Sequence, residues 1–221
     1  MTAAAKPARA DRTAVTRDAL MAAAERLYAE RGLAGVSSRQ IAEAAGQGNV
    51  TAVSYHFGDR TGLIRAIMAK HGEQADVIRR RYAAAVDGST DIRGWVGCLV
   101  RPATDHLAEL GTPSWNARFT AQVMTDPVLR TLVTEEAVAR PCLRQILDGL
   151  GGCLTHLSAH VRAVRGDMAR HLINHTCGER ERALAEHSDL RHGSWEETAD
   201  ELTDAIVGLL TAPSTSTKGT A

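Results

Sequence analysis

Aromatic side chains make up only 4% of the 221 residues: three Trp, three Tyr and two Phe. A core made this way rests on Ala, Leu, Val and Ile, so three rings in a row, Tyr55-His56-Phe57, stand out. Cysteine is scarce as well. Cys98, Cys142, Cys153 and Cys177 are widely spaced, with no Cys-x-x-Cys pair and no histidine at zinc-finger spacing, which leaves buried free thiols as the expectation. No apolar run approaches the roughly 18 residues of a membrane span; WVGCLV and AIVGLL are of core length. The opening MTAAAKPARADR is small and basic and lacks the apolar stretch of a secretory signal, so a cytoplasmic chain with no membrane partner is expected. Gly-x-Ser-x-Gly, Walker and dinucleotide fingerprints are missing, and nothing supplies a nucleophile with its base. The expectation is a protein that is not an enzyme and needs no cofactor.

Net charge is missing too: 26 Lys and Arg balance 26 Asp and Glu. The balance hides an asymmetry. Residues 1–70 carry 10 cations against 6 anions, a net +4, and the remaining 16 cations and 20 anions leave residues 71–221 at −4. Any polyanionic partner is therefore expected to meet the first third of the chain.

What is abundant is helical periodicity. Leu20, Ala23, Ala24, Leu27 and Tyr28 fall on one face of a helix over 16–31, with Gly32 as its C-cap. Ser37 and Gln40 have capping-box spacing ahead of Ile41, Ala42 and Ala45, and Gly46 ends that second, short helix. Asn49 is the expected N-cap of a third short helix to about Phe57, and Gly58-Asp59 separates it from a fourth over 61–86. Three short helices, the second and third joined at Gly46-Gln47-Gly48, make a helix-turn-helix. Longer helices are expected at 91–110 with Pro102 inside, at 114–124, and from the Asp126-Pro127 cap to about 148 with Pro141 inside. Interior prolines kink helices and leave room for a cavity. Gly149, Gly151 and Gly152 are then expected to break the chain before a helix over 158–186 with the stripe Val161, Val164, Met168, Leu172 and Ile173. A capping box at Ser194 and Glu197 opens the last helix, which buries Ala199, Leu202, Ala205, Ile206, Leu209 and Leu210 and stops at Pro213.

A recognition helix lays its first turn in the major groove, with short polar side chains at base edges and hydroxyls and cations on phosphates. Residues 49–57 suit that task. Asn49, Thr51 and Ser54 are short and polar, Tyr55 and His56 can donate to phosphate, and Phe57 is the expected core anchor. Arg39 and Arg60 flank the helix as phosphate clamps. Lys6, Arg9, Arg12 and Arg17 form a basic arm able to reach a minor groove.

The ordered set Glu30-Arg31-Gly32, Ser38, Arg39, Ile41-Ala42, Ala45-Gly46, Tyr55-His56-Phe57, Asp59-Arg60 and Leu63 resembles the N-terminal domain of TetR/AcrR-type transcriptional regulators. The spacing from Gly46 to Phe57 is one residue longer than that pattern usually has, an excess that Gln47-Gly48 can absorb. The resemblance implies an all-α fold: a three-helix helix-turn-helix DNA-binding domain followed by a larger helical domain for effector binding and dimerisation. The expected organisation is a basic flexible arm over 1–15, the DNA-binding domain over 16–62, the effector and dimerisation domain over 63–212, and a disordered tail over 213–221. It also implies a homodimer paired through the last two long helices, a double-stranded DNA operator of palindromic form, and release of a repressor by a small-molecule effector. DNA contacts are expected from Ser38, Arg39, Gln47, Asn49, Val50, Thr51, Ser54, Tyr55, His56 and Arg60.

For an effector, side chains that combine apolar bulk with a polar tip are His106, Trp115, Asn116, Phe119, Gln122 and Met124. His171 and His175 have the i, i+4 spacing of a chelating pair, but no third ligand completes a set, and no metal is expected. The alternative to a regulator is a small helical enzyme or metal-binding protein that uses the cavity between helices five and seven.

Overall fold

The computed structural model describes residues 9–188 and 193–214, with side chains from Arg12 onward. Lys6, the Arg9 side chain and the tail beyond Ser214 lie outside the described residues. Ten helices and no strand are found within them: α1 (Arg9–Arg31), α2 (Ser38–Ala44), α3 (Ala52–Phe57), α4 (Arg60–Val86), α5 (Ile92–Leu110), α6 (Asn116–Thr125), α7 (Pro127–Val138), α8 (Pro141–Cys153), α9 (Ala159–Ala185) and α10 (Trp195–Thr211). The expected all-α class is what is found. The chain divides into two compact units at Lys70–His71, a point inside α4.

In the first unit the stripe Leu20, Ala23, Ala24, Leu27 and Tyr28 is buried, as are Ile41, Ala42, Val53, Leu63, Ile64 and Ile67. Helix α1 starts at Arg9, earlier than its apolar stripe, because the Ala- and Arg-rich preceding residues are good helix formers without needing a buried face. The Ser37 capping box is present in both halves: Ser37 Oγ accepts from the Gln40 amide and Gln40 Oε1 accepts from the Ser37 amide.

The second unit is organised around Trp95, Val96, Cys98, Val100, Leu107, Ile146, Leu150, Ala169, Cys177, Leu202 and Ile206, drawn from α5, α8, α9 and α10. Two helix boundaries here differ from those expected. Proline 141 does not sit inside one long kinked helix. The residue before a proline is pushed out of the α region, so Arg140 is extended (φ −72°, ψ 129°), α7 has already ended, and Pro141 opens α8 at its first turn. The glycines at 149, 151 and 152 do not break the chain either; they lie in α8. The reason at Gly149 is packing. A Cβ there would stand 2.4 Å from Cζ2 of the buried Trp95 ring, so the glycine lets α8 close on that indole.

Polar groups join the helices of this unit. Glu181 on α9, only 2% exposed, accepts from Ser114 Oγ (2.7 Å), the Arg118 amide (2.9 Å), the Ala117 amide (3.2 Å) and Arg118 Nε (3.3 Å). It thereby caps the start of α6 from another helix, supplying an acceptor to amides that no intrahelical carbonyl can reach. Arg165 on the same helix donates to the carbonyls of Leu210 and Ala212 at the end of α10, the complementary cap. The α9 stripe divides: Val161 and Ile173 are half-buried, while Val164, Met168 and Leu172 are exposed. Ala205 on α10 is exposed too, whereas Ala199, Leu202, Ile206 and Leu210 are buried and Leu209 is half-buried.

Candidate nucleic-acid interface

The first unit gathers the polar residues of the 38–60 segment at α2, α3 and the turn between them. The turn takes its left-handed residue at Gly46 (φ +68°), not at Gly48. Its second half is held by a side chain. Asn49 Oδ1 accepts from the Thr51 amide (2.9 Å) and the Thr51 hydroxyl (2.7 Å), a local Asx-type bond that competes with helix. Thr51, not Asn49, is therefore the N-cap residue of α3. Gln47 is half-buried and its amide nitrogen donates to the Ala45 carbonyl.

From that turn, Asn49, Val50, Thr51, Ser54 and Tyr55 are exposed, Tyr55 by 76%. Ala52 and Val53 are buried beneath them. A tyrosine so exposed in a chain so poor in rings is not serving the core. Tyr55 and His56 stand edge to face, with ring centroids 4.9 Å apart. His56 and Phe57 are half-buried, and Arg17 of α1 ties this end of α3 down. Its guanidinium donates to the His56 carbonyl at 2.8 Å and lies 4.3 Å above the Phe57 ring, a cation–π contact.

Ser38 is half-buried in the first turn of α2, and Arg39 beside it points outward. Arg39 pairs with Glu43 at 2.7 Å, both side chains more than half exposed, so the pair can open to a phosphate at little cost. The neighbouring carboxylate pushes the Arg39 pKa further up. Arg60 is exposed, donates to the Leu33 carbonyl and stands 5.4 Å from the Tyr28 ring centre. Burial raises the Tyr28 hydroxyl pKa, with Arg60 pulling the other way. Asp59 precedes α4, and its carboxylate accepts from the Gly62 amide at 2.7 Å. A Cβ on Gly62 would fall 2.0 Å from the Phe57 carbonyl oxygen, so this junction needs glycine for close approach.

Two residues escaped the sequence reading. An open groove of about 380 Å³ is lined by Arg12, Thr13, Thr16, Tyr55 and His56, which adds two hydroxyls and a cation from α1 to the rings of α3. The signal was hidden because the segment around Arg12 carries no apolar stripe to mark it as helix. Hydroxyls, a guanidinium and an imidazole on one concave face are the donors a phosphodiester backbone takes.

In the second unit the six expected effector residues have separate settings. Phe119 is fully buried; Asn116 and Met124 are buried, and Trp115 and Gln122 are half-buried, all on or next to α6. Asn116 Oδ1 accepts from the Thr120 hydroxyl at 3.2 Å. His106, on α5, is buried with its Nε2 at 2.9 Å from Nδ1 of His71. His171 and His175 stack with ring centroids 6.0 Å apart, and no three His, Cys, Asp or Glu side chains converge on a metal position among the described residues. No described helix is long and apolar enough to cross a membrane.

Comparison with known proteins agrees with this geometry. Residues 20–67 match the family described as bacterial regulatory proteins, tetR family. The fold is similar to that of a Shewanella sp. PV-4 protein described as a tetR family transcription regulator (16% identity, 88% of this chain and 95% of that chain, TM-score 0.59). It is also similar to a Rhodococcus sp. protein described as a TetR-family transcriptional regulator (20% identity, 89% and 99% covered, TM-score 0.55). A third is NalD, the secondary repressor of the MexAB-OprM multidrug efflux pump in Pseudomonas aeruginosa (22% identity, 89% and 96% covered, TM-score 0.55). At these identities the likeness is one of fold. No curated protein sequence matches the chain.

Proposed function

The chain belongs, through residues 20–67, to the tetR family of bacterial regulatory proteins, transcriptional regulators and not enzymes, and from that premise we propose a ligand-responsive repressor acting as a homodimer on a palindromic operator. The observation that carries this reading is the exposed row Asn49, Val50, Thr51, Ser54 and Tyr55 over a buried Ala52 and Val53. Ser38, Arg39, Gln47, His56 and Arg60 complete the DNA-contacting set, Arg39 and Arg60 as phosphate clamps. The net +4 of residues 1–70 supports the same assignment. Two copies then read half-sites about one helical turn apart.

Pairing through α9 and α10 is supported by the exposed row Val164, Met168 and Leu172, which recurs every fourth residue along one side of α9. Three large apolar side chains in a line want a cover, and a second copy offers a matching one. The effector is assigned to His106, Trp115, Asn116, Phe119, Gln122 and Met124. A differential affinity of about 1–3 kcal/mol between DNA-competent and released states gives a 5- to 150-fold response. The reading places the protein's work in the cytoplasm, where the DNA is.

The test is a titration of purified protein against the DNA upstream of its own gene at two salt concentrations. A regulator binds saturably and loses affinity as salt rises, and Tyr55→Ala weakens binding to every sequence alike. Absence of binding at low salt by dimeric protein rules the reading out.

A further inference from the structure

The turn ahead of α3 carries one apolar side chain among polar ones. Val50 is 53% exposed, between exposed Asn49 and Thr51. A single apolar side chain in water is ordinary on most surfaces, but this one stands within the row assigned to the major groove. Its backbone is held on both sides. The Ala52 amide donates to the Asn49 carbonyl at 3.1 Å, closing a turn with Val50 and Thr51 at its two central positions, and the Thr51 amide and hydroxyl both donate to Asn49 Oδ1. A β-branched side chain on so fixed a backbone has little rotamer freedom to lose on contact.

The same bonds decide what chemistry is left for a base edge. A backbone amide can only donate, so it is the oxygen of the Asn49 side chain that faces Thr51. That oxygen already accepts two hydrogen bonds, at 2.9 and 2.7 Å, one for each of its lone pairs. Asparagine reads adenine through both ends of its amide, accepting from N6 and donating to N7, and Asn49 has only its two N–H donors to offer. Thr51 already donates its hydroxyl proton to Asn49. Neither flank can therefore make the two-ended contact, and the side chain between them is Val50. The apolar group that a base pair presents in the major groove is the 5-methyl of thymine.

Given the DNA-binding reading above, on which this rests, we propose that Val50 reads the 5-methyl group of a thymine in each half-site, from a turn locked in advance by Asn49 and Thr51.

The test uses the full-length protein to select duplexes from a random pool. Each thymine of the enriched site is then replaced in turn by deoxyuridine, which removes the 5-methyl and keeps every hydrogen-bonding group. At one thymine of each half-site the replacement weakens binding by the wild type about fourfold, the worth of one buried methyl. It changes nothing for Val50→Ala, whose unfolding midpoint stays that of the wild type because the side chain is exposed. An enriched site in which no thymine responds overturns the proposal, as does a response that Val50→Ala retains in full. Failure to enrich any duplex at low salt contradicts the DNA-reading surface itself, and the thymine contact falls with it.

Discussion

Both units cap their helices locally, and the second adds more contacts from residues far along the chain. In the first, helix starts are set by neighbours in sequence, Ser37 with Gln40, Asn49 with Thr51 and Asp59 with Gly62, and one long-range contact, Arg17 on the His56 carbonyl, holds the end of α3. In the second, local caps at Asp91, Asp126, Ser158 and Ser194 are joined by contacts from residues far along the chain: Glu181 on the start of α6, Arg165 on the end of α10, and Trp95 packed against Gly149 inside α8. The contrast fits two tasks. A reading head offers polar side chains outward and needs only short helices fixed locally, whereas a helical body that buries long stripes has to satisfy its helix ends from within.

Substitutions that attack each means of support should separate the units. The largest effect is expected at Glu181. Removing its carboxylate leaves Arg118 and two helix-start amides without their buried acceptor, and Glu181→Ala should cost about 3–5 kcal/mol, the range for breaking a buried charged pair. Urea unfolding followed by circular dichroism measures it, and Glu181→Gln, which keeps an acceptor, should lose less. Gly149→Ala comes next, at about 1–3 kcal/mol from overpacking against Trp95, although alanine is the better helix former. Fluorescence of the displaced indole reports the change directly.

In the first unit the losses are smaller because the bonds broken are exposed. Asp59→Ala should cost about 0.5–2 kcal/mol, the usual value of an N-cap. Breaking the exposed Arg39–Glu43 pair should leave the unfolding midpoint where it is, while Arg39→Gln lowers the slope of log affinity against log salt by about one phosphate.

The smallest effect is a pH dependence confined to the second unit. The His171 pKa lies below its ordinary 6.5 when folded, so the unfolded chain takes up the proton first. Stability is then fully present above pH 6.5 and is lost as pH falls from there toward the lowered value. The loss is slight because the ring is exposed. Urea midpoints at pH 5 and pH 8 should differ a little more for the wild type than for His171→Asn.

That same division explains which parts of the structure were legible in the sequence. The Ser37 and Ser194 capping boxes, the Asp126-Pro127 start and the buried stripe of α1 are as expected, since capping and amphipathic periodicity are written within a few residues. Gly149 reads as a breaker until the Trp95 ring that demands it is in view, and Pro141 reads as a kink inside one helix until Arg140 is seen to be extended. At the reading head, Tyr55 and His56 announced themselves by composition. Thr13 and Thr16 did not, because hydroxyls acquire meaning only when α1 carries them to the rings of α3.

The central claim is that the exposed row on α3, flanked by α1, is a DNA-reading surface. Fluorescence anisotropy of a labelled duplex from the protein's own upstream region, repeated across a salt series, tests it most directly. The account predicts saturable binding whose log affinity falls linearly with log salt, a shallower slope for Arg12→Gln, and weaker binding for Tyr55→Ala with an unchanged unfolding midpoint. Affinity that ignores salt, or that survives both substitutions intact, would contradict it.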